Sequence, residues 1–235
     1  MPKVLISDSL SSLANEVFEK NNIEVDTITD LSPEELKKII NNYDGLVVRS
    51  ATKATDAIIS AGIKLKIIGR AGAGVDNIDL ISAKKNDVIV MNTPGGNTNA
   101  TAEHTLSLLM SLYRSIPEAN TGTHKGLWEK KKFKGLELKG KNVGIIGFGN
   151  VGVRFSEMAI ALGMKVSVYS ESFSSRKKDY PNISSKSLSN LISESDIISF
   201  HCKPPKDGKS LVSMDQLKLM KKNADLINTA RGGLI

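Results

Sequence analysis

Short apolar runs alternate with helical stripes along most of this chain. Residues 3–7 (KVLIS), 23–28 (IEVDTI), 45–50 (GLVVRS), 66–71 (KIIGRA) and 88–93 (VIVMNT) are β-rich and bounded by turn residues, the pattern of short strands. Between them lie helical segments at 11–20, where Leu13, Val17 and Phe18 share one side, and at 54–62 and 77–86. Residues 32–42 (SPEELKKIINN) open with Ser32, then Pro33, with Glu35 three places after the serine. That order predicts a helix with a capping box. A stretch rich in Pro, Gly, Asn and Thr follows at 92–104 (NTPGGNTNATAEH) and reads as a hinge. After it comes a strong helical stripe, 100–115, with Leu106, Leu109, Met110 and Tyr113 on one face.

The polar, glycine-punctuated segment 122–141 reads as a long connection. A second series begins beyond it. Residues 142–147 (NVGIIG), 166–170 (VSVYS), 196–202 (DIISFHC) and 224–230 (ADLINTA) read as strands, with a helix at 213–223. Strands alternating with helices imply βαβ units and parallel sheets. The predicted fold class is therefore α/β. It comprises two Rossmann-like domains, 1–97 (flavodoxin-like) and 98–235, each a parallel sheet flanked by helices, the second incomplete.

Composition narrows the class without changing it. The 235 residues are 40% hydrophobic and 24% charged, as in ordinary globular domains. Formal net charge is +7, yet only six of the 32 basic residues are arginine and aromatic content is 5%. A nucleic-acid binder would concentrate arginine and stacking aromatics on one motif, so no nucleic-acid partner is predicted. The basic surface suits an anionic metabolite. The single cysteine, Cys202, excludes an intrachain disulfide and suits a reducing cytoplasm. The N-terminus has no signal-peptide pattern, and no apolar run reaches the roughly 20 residues that span a bilayer, so no membrane partner is expected. No metal site is predicted.

Candidate chemistry begins at Gly147-Phe148-Gly149-Asn150-Val151-Gly152. A G-x-G-x-x-G pattern gains meaning here from the strand before it, the helix after it and a second strand ending about 20 residues on. Gly147 permits the turn, Gly149 admits a pyrophosphate to the backbone, and Gly152 lets helix and strand pack closely. The helix start then offers unpaired N–H groups to the anion. The second strand ends at Tyr169-Ser170-Glu171-Ser172, where an acid would bind the adenosine ribose. Ser170 and Glu171 are the candidates. Arg176, Lys177 and Lys178 follow, either as partners of a 2′-phosphate or as an exposed charged loop. NAD is the predicted cofactor, with NADP left open. A second glycine-rich loop, Gly72-Ala73-Gly74-Val75, reads as a backbone nest for an anion or as a tight turn. Arg49 and Arg70, both at strand ends, are candidates for a substrate phosphate or for structural ion pairs.

Together, GLVVRSATK, KIIGRAGAGVDNIDL, VMNTPGGNTNATAEH, WEKKKFKGLELKGKNVGIIGFGNVG and INTARGGLI resemble the D-isomer-specific 2-hydroxyacid dehydrogenases. The resemblance runs the length of the chain. It implies a substrate-binding domain (1–97), a nicotinamide-dinucleotide domain (98–235) and an active site in the cleft between them. It makes Arg231 the catalytic arginine, suited to hold a carboxylate bidentately. It assigns Gly72, Ala73, Gly74, Val75 and Asn97 to the substrate, and Thr229, Ala230 and Arg231 to the nicotinamide end. Cys202 stands there where the family usually has threonine, and Lys130 where it often has arginine. The first two motifs and the Trp128 segment point within the family to a small phosphorylated 2-hydroxy acid, 3-phosphoglycerate, whose oxidation opens serine biosynthesis. The alternatives are glyoxylate or hydroxypyruvate reduction, or a dinucleotide-sensing co-repressor. A homodimer or homotetramer, joined largely through the helix after the hinge, is also implied. The family's acid–base histidine and its partner glutamate lie downstream of ARGG. The resemblance therefore makes this chain a truncated, inactive form, with none of His104, His124 or His201 as the expected substitute.

Overall fold

The computed structural model describes residues 1–205 and 207–235, and the chain divides into two compact units, Met1–Asn97 and Thr98–Ile235.

The first unit is a five-stranded parallel sheet of β1 (Lys3–Ile6), β2 (Glu24–Thr27), β3 (Gly45–Val48), β4 (Ile67–Arg70) and β5 (Ile89–Asn92), in the order β2-β1-β3-β4-β5. Register places Leu5, Leu46 and Ile68 in one row on one face. Helices α2 (Pro33–Ile39), α3 (Asp56–Ala61) and α4 (Leu80–Lys85) supply Leu36, Ile58, Ile59 and Ala83 to the core around that row. The capping box of α2 forms as its sequence predicts: the Glu35 amide donates to Ser32 Oγ and the Ser32 amide donates to the Glu35 carboxylate. Helix α1 (Leu13–Lys20) also forms, but its stripe is not a core face, because Leu13 and Val17 stay exposed. On the sheet's other face Ile89 and Met91 are exposed as well.

The second unit starts with α5 (Thr98–Arg114). Ser115, in the left-handed region at φ 47°, breaks it from α6 (Ile116–His124). The predicted 122–141 connection therefore begins only after His124. Its strands are β6 (Asn142–Ile146), β7 (Lys165–Tyr169), β8 (Ser184–Ser185), β9 (Ile197–Phe200) and β10 (Asp225–Asn228), in the order β10-β9-β6-β7-β8. Helix α7 (Asn150–Ala161) follows β6, α8 (Phe173–Arg176) follows β7, α9 (Leu188–Glu194) precedes β9 and α10 (Met214–Leu219) precedes β10. The α5 stripe packs as predicted. Leu109 and Tyr113 are buried with Phe155 and Ala159, and Leu106 and Met110 lie against them. Chain order reverses at β6, with β7 on one side and β9 on the other. Open α/β sheets hold ligands at such a switch point, beyond the carboxyl ends of the strands.

Candidate functional site

The glycine-rich turn lies at that switch point. Strand β6 is buried from Val143 to Ile146. The chain leaves it at Gly147, whose φ of 96° favours a residue without a side chain. The Gly147 amide donates to Tyr169 O at 2.9 Å, tying the turn to the end of β7. A Cβ on Gly147 would lie 2.5 Å from His201 O, and one on Gly152 would run into Gly147 O. These two glycines let β6, β9 and α7 approach closely. Gly149 differs, since a Cβ there would meet nothing within 4 Å. It is the N-cap of α7 and gives that helix no side-chain cap. Asn150 is exposed and Val151 half-buried. The outer edge of the turn is therefore open, at a helix end that carries partial positive charge. The close packing at Gly147 and Gly152 and the open space at Gly149 fit a dinucleotide pyrophosphate.

At the end of β7, Ser170 Oγ and Ser172 Oγ share a hydrogen bond of 3.1 Å, and Glu171 is exposed. Lys177 and Lys178 are exposed too. Arg176 is not: it is half-buried and donates to Phe148 O at 3.0 Å. Of the two readings offered for residues 176–178, the exposed loop therefore fails for the arginine.

His201 and Cys202 follow β9. The His201 ring packs against Phe155 at 5.3 Å, and its Nε2 pairs with Ser199 Oγ at 2.9 Å. Burial pushes the imidazole down to about 4, so it is neutral near pH 7. Burial also raises the Cys202 thiol, the opposite of what a nucleophile needs.

Strand β10 ends in a self-bonded turn. Asn228 Nδ2 donates to Arg231 O at 2.9 Å, and the Ala230 amide donates to Asn228 Oδ1 at 3.0 Å. Asn228 thereby fixes the segment that carries Thr229, Ala230 and Arg231. Sequence reading passed over it because an asparagine at a strand end has no distinctive spacing. Thr229 and Arg231 line an open cavity of about 720 Å³ with Thr101, His104, Leu108 and Asn228. Arg231 is exposed there. His104 joins it because α5 runs beside β10.

In the first unit the predicted groups gather at the carboxyl ends of β3 and β4. The buried Asp8 carboxylate accepts from the Arg49 amide at 2.5 Å and from Thr52 Oγ1 at 2.7 Å. Arg49 Nη1 donates to Ser9 O at 3.2 Å. Arg70 gives its Nε to Arg49 O at 3.1 Å and its Nη1 to Gly74 O at 2.6 Å. Gly72 lies against that guanidinium, and a Cβ there would sit 2.7 Å from Arg70 Nη1. The loop is held by its carbonyls: Gly72 O accepts from the Thr93 amide, Ala73 O from Asn92 Nδ2 and Gly74 O from Arg70. Val75 packs against the core. Asn97, the last residue of the unit, is exposed. Arg70 also lines a cavity of about 500 Å³ with Ser50 and Lys53. Lys53 went unremarked in sequence because a lysine after a strand is usually only a solvated charge.

Residues 106–235 match the family described as D-isomer specific 2-hydroxyacid dehydrogenase, NAD binding domain. The chain is 41% identical over 235 residues to D-3-phosphoglycerate dehydrogenase of Synechocystis sp., covering 100% of this chain and 42% of that protein. It is 41% identical to hydroxypyruvate reductase of Thermotoga maritima, covering 99% of this chain and 75% of the relative. The structure of NAD+-bound 3-phosphoglycerate dehydrogenase from Entamoeba histolytica superposes with a TM-score of 0.82 at 34% identity, over 100% of this chain and 73% of the other. The chain thus spans less than half the length of the Synechocystis relative.

Proposed function

The chain belongs to the D-isomer specific 2-hydroxyacid dehydrogenases, and from that premise we propose that its reaction is the NAD-dependent oxidation of D-3-phosphoglycerate to 3-phosphohydroxypyruvate, the opening step of serine biosynthesis. One observation carries the cofactor half of this reading. The turn is closed where Gly147 and Gly152 pack on backbone, and clear where Gly149 faces outward at the head of α7. Backbone N–H groups there would hold the pyrophosphate. Ser170 and Glu171 would take the adenosine ribose, and Thr229, Ala230 and Cys202 would border the nicotinamide. Bound NAD supplies the hydride acceptor.

The substrate half rests on cationic and N–H groups. In the second unit Arg231 would hold the carboxylate through its planar fork. In the first unit the amides of Ala73, Gly74 and Val75, with Asn97, are the N–H groups offered to an acid, while the Gly72 amide is already given to Arg70 O. Arg49, Arg70 and Lys53 are the cations available to a phosphate in the first unit. The hydroxyl proton needs an acceptor as hydride leaves. His201 does not suit that role, because its ring is half-buried, neutral near pH 7 and paired with Ser199. We propose that neither His201 nor the other two histidines takes this role, so that these 235 residues bind cofactor without sustained turnover.

Fluorescence titration of the 235-residue chain with NADH should saturate, and 3-phosphoglycerate at high pH should give no steady NADH production. Robust turnover would refute the need for a further histidine. The similarity to a hydroxypyruvate reductase, over 75% of that protein, supports a second reading, reduction of an unphosphorylated keto acid. Competition on the NADH-loaded chain separates the two. Tighter binding of 3-phosphohydroxypyruvate than of hydroxypyruvate supports the phosphorylated substrate, and equal binding supports the second.

A further inference from the structure

The sequence offers Arg176 either to a 2′-phosphate of the cofactor or to an exposed loop, yet its side chain turns toward the glycine-rich turn. It closes helix α8, and its Nη1 donates to Phe148 O at 3.0 Å. Its Nη2 donates to Tyr180 Oη at 3.3 Å. The guanidinium carbon lies 5.5 Å from the centre of the Phe148 ring and 5.6 Å from that of Tyr180, within range of cation–π attraction. The Phe148 ring is itself buried, edge-on to Phe173 at 4.9 Å and to Tyr180 at 5.0 Å. The residue between Gly147 and Gly149 is therefore held twice, by its ring and by its carbonyl.

The carbonyl is the important contact. Phe148 C=O and Gly149 N–H belong to one planar trans peptide and point in opposite directions. A glycine on each side of Phe148 leaves the rotation of that peptide loosely determined by local sterics. Fixing the carbonyl on Arg176 fixes the direction of the Gly149 N–H, and a cationic donor on the carbonyl also polarises the peptide and strengthens that N–H. We infer that Arg176 is a positioning residue for the pyrophosphate-binding turn and does not read the 2′ group of the cofactor. This rests on the cofactor reading proposed above. Lys177 and Lys178, both exposed, remain the cations free to meet a 2′-phosphate.

The test compares wild type, Arg176→Met and Arg176→Lys for binding of NADH, NADPH, ADP and adenosine by the full 235-residue chain, well below each variant's melting temperature. Loss of a charge-assisted hydrogen bond predicts about tenfold weaker NADH, NADPH and ADP for Arg176→Met, with adenosine unchanged because it has no diphosphate. Arg176→Lys should stay weakened alike for NADH and NADPH, since one ammonium on a flexible stem does not reproduce the planar fork between Phe148 O and Tyr180 Oη. Should the methionine variant fail to fold, the lysine variant carries the same comparison. Selective loss of NADPH, recovery of NADPH by lysine, or unchanged affinities with only a lower melting temperature would each overturn the inference. Absence of NADH binding by the wild-type chain would instead remove the cofactor reading, and the inference with it.

Discussion

Thr105 Oγ1 and Thr229 Oγ1 lie 2.7 Å apart, joining the buried side of helix α5 to the end of strand β10. Thr105 Oγ1 also lies 2.8 Å from Thr101 O, to which it can donate, and either hydroxyl can be the donor between the two threonines. The orientation of Thr229, two residues before Arg231, is thus set by a helix far away in sequence. Thr105→Val should cost about 1 kcal/mol of stability and weaken NADH by freeing the Thr229 rotamer. Urea denaturation with NADH titration checks both, and unchanged NADH affinity would show that the pair serves stability alone.

The three turn glycines should respond differently to alanine. Gly149→Ala meets nothing within 4 Å and has φ −79°, which any residue adopts. Stability should therefore stay within about 0.5 kcal/mol, while the new methyl group blocks the pyrophosphate and lowers NADH affinity by more than about tenfold. Gly152→Ala drives a methyl group into Gly147 O and should destabilise the second unit by about 1–3 kcal/mol. Thermal melts paired with titrations distinguish the two. Full NADH affinity in Gly149→Ala would contradict the proposed cofactor site.

His201 makes the second unit sensitive to acid. Burial lowers its folded pKa from 6.5 to about 4, so the unfolded chain binds the proton more readily. The stability tied to the neutral ring is fully present above pH 6.5 and is lost as pH falls from there toward 4. The loss from this one group is on the order of 3 kcal/mol. His201→Asn should flatten that part of the stability curve. Urea midpoints at pH 7.5 and pH 4.5 test it, and parallel curves for the two proteins would rule the effect out.

Arg231 should discriminate by geometry as well as charge. On the NADH-loaded chain, Arg231→Gln should weaken a 2-hydroxy or 2-keto acid by about tenfold or more, as one charge-assisted contact is lost. Arg231→Lys should recover only part of that, because it lacks the planar fork. Equal acid affinity in wild type and both variants would remove Arg231 from substrate binding.

Legibility in the sequence followed burial. Strands such as β6 and β9 are mostly apolar because both faces are covered, so they stand out in the sequence. The capping box of Ser32 and Glu35 and the φ demand at Gly147 are local and were equally visible. Strand β8 is two exposed serines paired to β7, and nothing in its own residues marks it as a strand. Helix α6 carries Thr, Gly and Asn through its length and has low intrinsic helix propensity. Helix α1 forms where its spacing predicts, but Leu13 and Val17 on its stripe stay exposed, because amphipathic spacing does not supply a partner surface.

The sequence alone determined what depends on near neighbours: the βαβ alternation, the two-part division near Asn97, the glycine turn and the family resemblance. Tertiary structure decided strand order, the coupling of Thr105 to Thr229, the depressed basicity of His201, and the inward turn of Arg70 and Arg176. Each of those depends on groups brought together by chain reversal, and a guanidinium points to the carbonyl or ring that packing places beside it. Near-neighbour periodicity encodes which face of an element is apolar, but not which distant backbone that face will meet.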